Sequence, residues 1–235
     1  MNMRLINVLV AITALILLSA GSPVADPKAF TGSFRMEVHT FKNNKEDKHS
    51  PVNMRIWSRE DMMLYELVMP GQQQQMRMLS DLRGNWSYTL IDNGQGSRTA
   101  MKMKRPEFSG LVDDKKGEKP QITVTKETKV IEGHNCIKVI ATSKEGTWTA
   151  WVATGLRSAF LDMARAMDGQ AAQQNRFART DVEGFPLEYE WAPASGDERV
   201  VCNIKELVVG KVDDKLFDLS GYQLIEMPSF GMPPR

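Results

Sequence analysis

The stretch Trp86–Lys104, WSYTLIDNGQGSRTAMKMK, has the pattern of a β-hairpin. Apolar side chains alternate with polar ones on both sides of the dipeptide Asn93-Gly94. This period of two is typical of strands that bury one face, and Asn-Gly tolerates the positive φ angles of tight turns. The stretch therefore predicts two antiparallel strands. Their alternating apolar residues are Trp86, Tyr88 and Leu90 before the turn, and Met101 and Met103 after it.

The same period recurs along most of the chain from residue 31 onward. Only short connections separate most of these segments, which favours an antiparallel meander. The further predicted strands are Phe34–Val38, Val52–Ile56, Met62–Met69, Met76–Met78, Ile122–Val130, Ile137–Ala141, Trp148–Val152, Phe185–Trp191 and Val200–Val209, with Phe217–Met227 closing the domain.

One segment, Ser158–Arg179, has helical spacing instead. Its apolar residues recur every three or four positions and form one stripe, which predicts an amphipathic helix packed on the sheet. The sequence thus predicts a mainly β protein with a single domain over residues 26–235, of which 228–235 form a loose tail. The stripe includes Phe160, Met163 and Met167.

The first 25 residues have the pattern of a cleavable signal peptide. One charge, Arg4, precedes the apolar run Leu5–Leu18, which is shorter than the roughly 20 residues that span a bilayer. Small residues follow, and cleavage is expected near Ala25, leaving a soluble periplasmic protein; a retained membrane anchor is the alternative. Ser22 stands where a lipoprotein signal requires cysteine, so no lipid anchor is expected.

Charge and motifs exclude several classes of function. The 30 basic and 29 acidic residues nearly cancel, whereas a nucleic-acid-binding protein normally carries a basic excess. The three histidines lack the spacing of metal ligands, and no serine stands in a nucleophile motif. The sequence therefore predicts no enzyme, no metal site and no cofactor.

Cys136 and Cys202 leave two alternatives open. Both belong to the exported part, where oxidation is permitted, so they could form one disulfide. Free cysteine is also a common buried apolar residue, and the pair could equally be two core thiols.

Methionine is the most unusual feature of the composition: the chain has fifteen, and most of them lie between Met36 and Met103. Three interpretations stay open: an adaptable apolar lining for a ligand, a soft thioether site for Cu(I), or ordinary core filling. The ligand interpretation predicts a surface lined by strand residues and by the stripe of the helix. Its candidate residues are Met76, Met78, Trp86, Tyr88, Met101, Met103, Phe160, Met163 and Met167.

Four short motifs carry a resemblance to a known family. They are IEGHNCIK (131–138), WVATGL (151–156), EGFPL (183–187) and FDLSGY (217–222). In this order they resemble an uncharacterised family of exported bacterial proteins bearing a domain of unknown function. That family is similar in turn to the outer-membrane lipoprotein carriers (LolA/LolB-like).

The resemblance implies a curved antiparallel half-barrel whose concave apolar face is covered by helices and holds acyl chains. On this basis the sequence predicts a soluble periplasmic binding protein with an apolar cleft for a lipid or a lipidated peptide. The alternatives are a non-catalytic envelope-stress or adaptor domain that binds protein partners, and a methionine-rich copper-handling protein.

Overall fold

A computed structural model describes residues 30–68, 76–92, 96–104, 120–156 and 184–227. These residues form thirteen strands. The strands are β1 (Gly32–Lys42), β2 (Lys45–Glu46), β3 (Val52–Arg59), β4 (Met62–Val68), β5 (Met76–Asp81), β6 (Trp86–Asp92), β7 (Arg98–Lys104), β8 (Gln121–Ile131), β9 (His134–Ser143), β10 (Gly146–Ala153), β11 (Phe185–Pro193), β12 (Glu198–Val209) and β13 (Gln223–Glu226).

All of these strands belong to one large, curved, open sheet. The order is β13-β7-β6-β5-β4-β3-β1-β12-β11-β10-β9-β8, and β2 pairs with β1 beside this path. The chain runs outward from β1 through β3–β7, which we call the first wing. It resumes at the opposite edge and returns through β8–β11, the second wing, to β12. The predicted antiparallel meander is confirmed within each wing, whereas β13 pairs in parallel with β7.

The two wings join where β1 pairs with β12. This seam runs from Gly32 opposite Val209 to Lys42 opposite Glu198. On one face, Met36 lies opposite Ile204, and both are buried. The ring of Phe34 packs against that of Phe185, with 5.2 Å between their centroids. The centre of the sheet is therefore also the centre of an apolar cluster to which both wings contribute.

The turn between β8 and β9 shows how local sequence sets the pairing. Glu132 and Gly133 both have positive φ angles, 48° and 78°. Two such residues make the tight turn whose twist matches that of the flanking strands, and glycine adopts this backbone without a Cβ penalty. Ile131 consequently pairs with His134 directly across the turn.

The segment after β12 covers one face of the first wing. A 3-10 turn at Asp214–Phe217 places the buried Phe217 ring against a cluster on β4–β7. We call residues 210–222 the C-terminal strap. Arg59 holds it, because its Nη1 donates to Asp214 Oδ1 at 2.8 Å and its guanidinium lies 4.8 Å from the Phe217 ring centroid. The covered strand residues are Leu64, Leu79, Leu90 and Ala100.

The predicted helix over 158–179, the predicted signal peptide over 1–25 and the tail over 228–235 lie outside the described residues. Within the described ranges, no helix is long and apolar enough to cross a membrane.

Candidate functional site

The face of the first wing opposite the C-terminal strap carries methionines from several strands. Met78 on β5 lies opposite Thr89 on β6, and Thr89 lies opposite Met101 on β7. Paired residues of neighbouring strands share a face of the sheet, so these three side chains form one row across the wing. Ile225 extends the row because β13 places it beside Met101.

A second row runs parallel to the first. Ser80 on β5 lies opposite Ser87 on β6, and Ser87 lies opposite Met103 on β7. Met63 on β4 precedes Ser80 in this row, and both are fully buried. We call the surface made by the two rows the methionine face. Its members are Met63, Met78, Ser80, Ser87, Thr89, Met101, Met103 and Ile225.

Burial on the methionine face falls toward the edge of the sheet. Met63 is completely buried, whereas Met103 is 37% exposed and Ile225 is 43% exposed. Ile91, which belongs to the same face by its pairing with Thr99, is 38% exposed. Contiguous exposed apolar side chains on a protein surface commonly mark a binding site. The outer part of this face is therefore the candidate site among the described residues.

The structure divides the predicted lining residues between two faces. Met78, Met101 and Met103 lie on the methionine face, whereas Trp86 and Tyr88 point to the opposite face with Lys104 and Lys102. Lys102 Nζ lies 3.8 Å from the Trp86 ring centroid. Burial, Asp81 and Glu226 raise the pKa of Tyr88. For Met76 only the backbone register is described, opposite Leu67; Phe160, Met163 and Met167 lie outside the described residues.

The difference from the predicted lining has a simple cause, the length of the hairpin loop. A two-residue Asn93-Gly94 turn would pair Asp92 with Gln95 and would place Trp86 opposite Met101. The observed pairing joins Asp92 to Arg98, so the loop is longer. In a strand of period two, an odd shift in register moves every side chain to the other face.

Sequence reasoning missed Thr89 and Ile225. Thr89 occupies a polar position in the alternation of β6, and Ile225 belongs to a segment whose edge pairing is not local. The signal for Ile225 was its alternation with charged Glu226 in a short apolar segment.

The two candidate disulfide cysteines are free, buried thiols. Both belong to the apolar cluster at the centre of the sheet, where β1 pairs with β12. Burial raises the pKa of the Cys202 thiol to about 12, although a hydrogen bond from the Tyr189 hydroxyl partly opposes this rise. Burial also raises the pKa of Cys136. Neutral, buried thiols are poor nucleophiles, so neither cysteine has the environment of a reactive one.

In the second wing, the face opposite the buried Val139 and Trp148 carries charged side chains that pair with one another. Lys129 Nζ lies 2.5 Å from Glu188 Oε2, and Lys138 Nζ lies 3.0 Å from Glu127 Oε1. The ring of Trp151 lies between these two lysines, at 5.7 and 5.9 Å from their Nζ atoms. The charges of these four residues are therefore paired with one another on this surface.

Comparison with solved structures gives similarity to proteins of diverse description. PNGF-II is 13% identical, with a TM-score of 0.39. The match covers 84% of this chain but 31% of PNGF-II, so the chain spans about a third of that protein's length. An uncharacterised conserved protein from Thermus thermophilus is 6% identical, with a TM-score of 0.43. The match covers 84% of this chain and 91% of that protein. A putative outer membrane lipoprotein-sorting protein domain from Vibrio parahaemolyticus is 10% identical, with a TM-score of 0.23. The match covers 80% of this chain and 89% of that domain.

No curated protein matches the chain. A family model does, and it spans residues 30–222, from two residues before β1 to the end of the C-terminal strap. This match confirms the expectation that the chain carries a domain of unknown function. The chain belongs to the family described as a domain of unknown function, DUF4412.

Proposed function

We propose that this protein is a non-catalytic, soluble binding protein of the periplasm that holds a lipid or a lipidated peptide on its methionine face. The observation that carries the proposal is the unequal cover of the first wing. On one face the C-terminal strap covers a cluster on β4–β7, whereas Met103, Ile91 and Ile225 are exposed on the other.

The chemistry of the face suits an apolar ligand of variable shape. Methionine is unbranched and polarizable, so it adapts to different partners better than a β-branched residue does. Thr89 is short and half-buried, and it lies between Met78 on β5 and Met101 on β7. A shallow trough lined by thioethers would accept an extended acyl chain along this line.

Burial of an acyl chain would supply enough free energy for useful binding. Each buried methylene contributes about 0.8 kcal/mol, so eight methylenes contribute about 6 kcal/mol. Association itself costs at least about 4 kcal/mol, so micromolar affinity, about 8 kcal/mol, requires burial of most of a long acyl chain, about fifteen methylenes, in a preformed trough.

Two neighbouring residues of β13 provide a matched test. Ile225 faces the methionine side at 43% exposure, and Leu224, paired with Ala100, faces the other side at 57% exposure. A fluorescent long-chain fatty acid should bind the wild-type protein. Ile225→Gln should weaken this binding several-fold because it places an amide against the chain, whereas Leu224→Gln should leave it unchanged.

The result that contradicts the proposal is equally specific. Equal affinity of the two variants, or no binding of the fatty acid together with no lipid in native mass spectra of the protein purified from its envelope, would remove the lipid function. The adaptor function would then take its place, with the exposed apolar edge as a contact for a protein partner.

A further inference from the structure

The polar face at the seam carries a row of three basic side chains on three adjacent strands. Arg35 on β1 lies opposite Lys205 on β12 and opposite Arg55 on β3. Each alternates with buried residues of the apolar face, so all three point to the same, polar side. Neighbouring strands are about 4.8 Å apart, which puts the outer two Cα atoms about 10 Å from each other. Like charges directly opposite each other destabilise a sheet.

The middle residue of this row is neutralised, and the outer two are not. Arg35 pairs with Glu37 and, at 3.1 Å, with Glu206. Its Nη1 also donates to Asn53 Oδ1 at 3.3 Å. Arg55 is exposed, and neither it nor Lys205 has a hydrogen-bonding or ion-pair partner in the described part of the chain. Two unneutralised cations therefore flank a neutralised one.

Among the described arginines, the lack of a carboxylate partner is particular to Arg55. Among the arginines in the described ranges, Arg55 is the one without a carboxylate within 4.0 Å; the paired ones are Arg35, Arg59, Arg77, Arg83, Arg98 and Arg199. Glu66 lies opposite Arg55, yet its carboxylate pairs with Arg77 at 3.8 Å. Arg55 therefore keeps its positive charge unpaired although Glu66 lies on the neighbouring strand.

We propose that Arg55 and Lys205, on either side of Arg35, bind a phosphate-type anion. The guanidinium fork of Arg55 can donate two parallel hydrogen bonds to one phosphate, and Lys205 contributes a compact charge. Both side chains are long enough to converge above the intervening strand. Asn203 lies in the next row, opposite Glu37, and can provide an amide donor at the rim. Asn53, on the other side of Glu37, donates its Nδ2 to the Pro51 carbonyl oxygen at 3.4 Å. The site is separate from the methionine face and does not depend on its function.

Inorganic phosphate is the first probe, at low ionic strength because salt screens exposed charges. The Nε–Hε signal of Arg55 in NMR spectra, assigned with the Arg55→Gln variant, should shift saturably. Arg55→Gln and Lys205→Gln should each weaken binding by about tenfold, as measured by calorimetry. Arg83→Gln is the matched control, because Arg83 is an exposed arginine in the turn before β6 whose nearest carboxylate, Glu60, is 3.9 Å away. It should bind phosphate like the wild type.

Thermal unfolding separates this role from a structural one. Removal of a like charge opposite Arg35 should leave the melting temperature of Arg55→Gln unchanged or slightly higher. Sedimentation with phosphatidylcholine vesicles, with and without phosphatidic acid, identifies the source of the anion. Binding to the acidic vesicles that is lost in Arg55→Gln indicates a lipid headgroup, and phosphate binding alone indicates a soluble phosphate. The proposal is overturned if phosphate shifts no arginine signal, or if Arg83→Gln weakens binding as much as Arg55→Gln.

Discussion

The two wings of the sheet use one alternating pattern in different ways. In the second wing, apolar residues such as Val139 and Trp148 fill one face, and paired charges such as Lys138 and Glu127 cover the other. In the first wing, apolar side chains lie on both faces of the outer strands: Leu79 points to the C-terminal strap, and Met78 points to the methionine face. A sheet wing that is apolar on both sides needs two covers, and the strap supplies one of them. The second cover would lie over the methionine face.

The largest expected effect tests the cover that is present. Phe217→Ala should destabilise the protein by about 3 kcal/mol or more, because it removes a buried ring and leaves a cavity over the first wing. On the second wing, Lys138→Gln should cost less than about 1 kcal/mol, since it breaks only a partly exposed ion pair. Urea unfolding of the two variants measures both. Similar losses would mean that the strap does not stabilise the first wing as its packing indicates.

An intermediate effect on stability is expected at the seam, where alkaline pH ionises a thiol buried in the apolar cluster that both wings share. The unfolded Cys202 thiol ionises near its ordinary pKa of 9.0, whereas the folded one ionises only near 12. A raised folded pKa means that this stability is complete below pH 9 and is lost as the pH rises from about 9 to about 12. Burial and the bond to Cys202 raise the pKa of Tyr189 as well, so that residue adds to the loss.

The measurement is the free energy of unfolding across this alkaline range. A Cys202→Ala/Tyr189→Phe variant should be less stable at neutral pH, and its curve should fall less steeply above pH 9. Parallel curves for the variant and the wild type would show that neither group is as deeply buried as the structure places it.

The smallest expected effect concerns copper and the methionine face. Met78 and Met101 share this face but lie two strands apart, with Thr89 between them. Cu(I) requires several thioethers within bonding distance of one ion, so we expect no tight binding in a competition titration. A sub-picomolar affinity that disappears in Met78→Leu/Met101→Leu would replace the lipid proposal with copper handling for this face.

The sequence predicted local features better than long-range ones. The alternation of Trp148 with threonine and of Met36 with charged residues was enough to place strands, because burial of one face imposes that period. The seam was not predictable in this way, since Arg35 and Glu206 meet although they lie 171 residues apart. Which strands become neighbours depends on packing across the whole sheet and not on local pattern.

The candidate site was predicted in part for a related reason. Met78, Met101 and Met103 were identified by residue type, and the structure brings them to one face. Trp86 and Tyr88 were assigned to the same surface, but the register of the hairpin turns them away from it. Residue type can be read from sequence, whereas register depends on the number of residues in the loop that enter the pairing.

The seam also has a consequence for how fast the chain can fold. β3 can pair with β1 as soon as both strands exist, but the other edge of β1 must wait for β12, near the far end of the domain. Contacts between such distant residues carry a large loop-closure cost before they contribute any stability, and proteins rich in them fold slowly. Until β12 arrives, the central strand has an open edge, and the hydrophobic cluster beneath it lacks one side. Completion of the seam should therefore be the late, slow event that converts two separate meanders into one cooperative sheet.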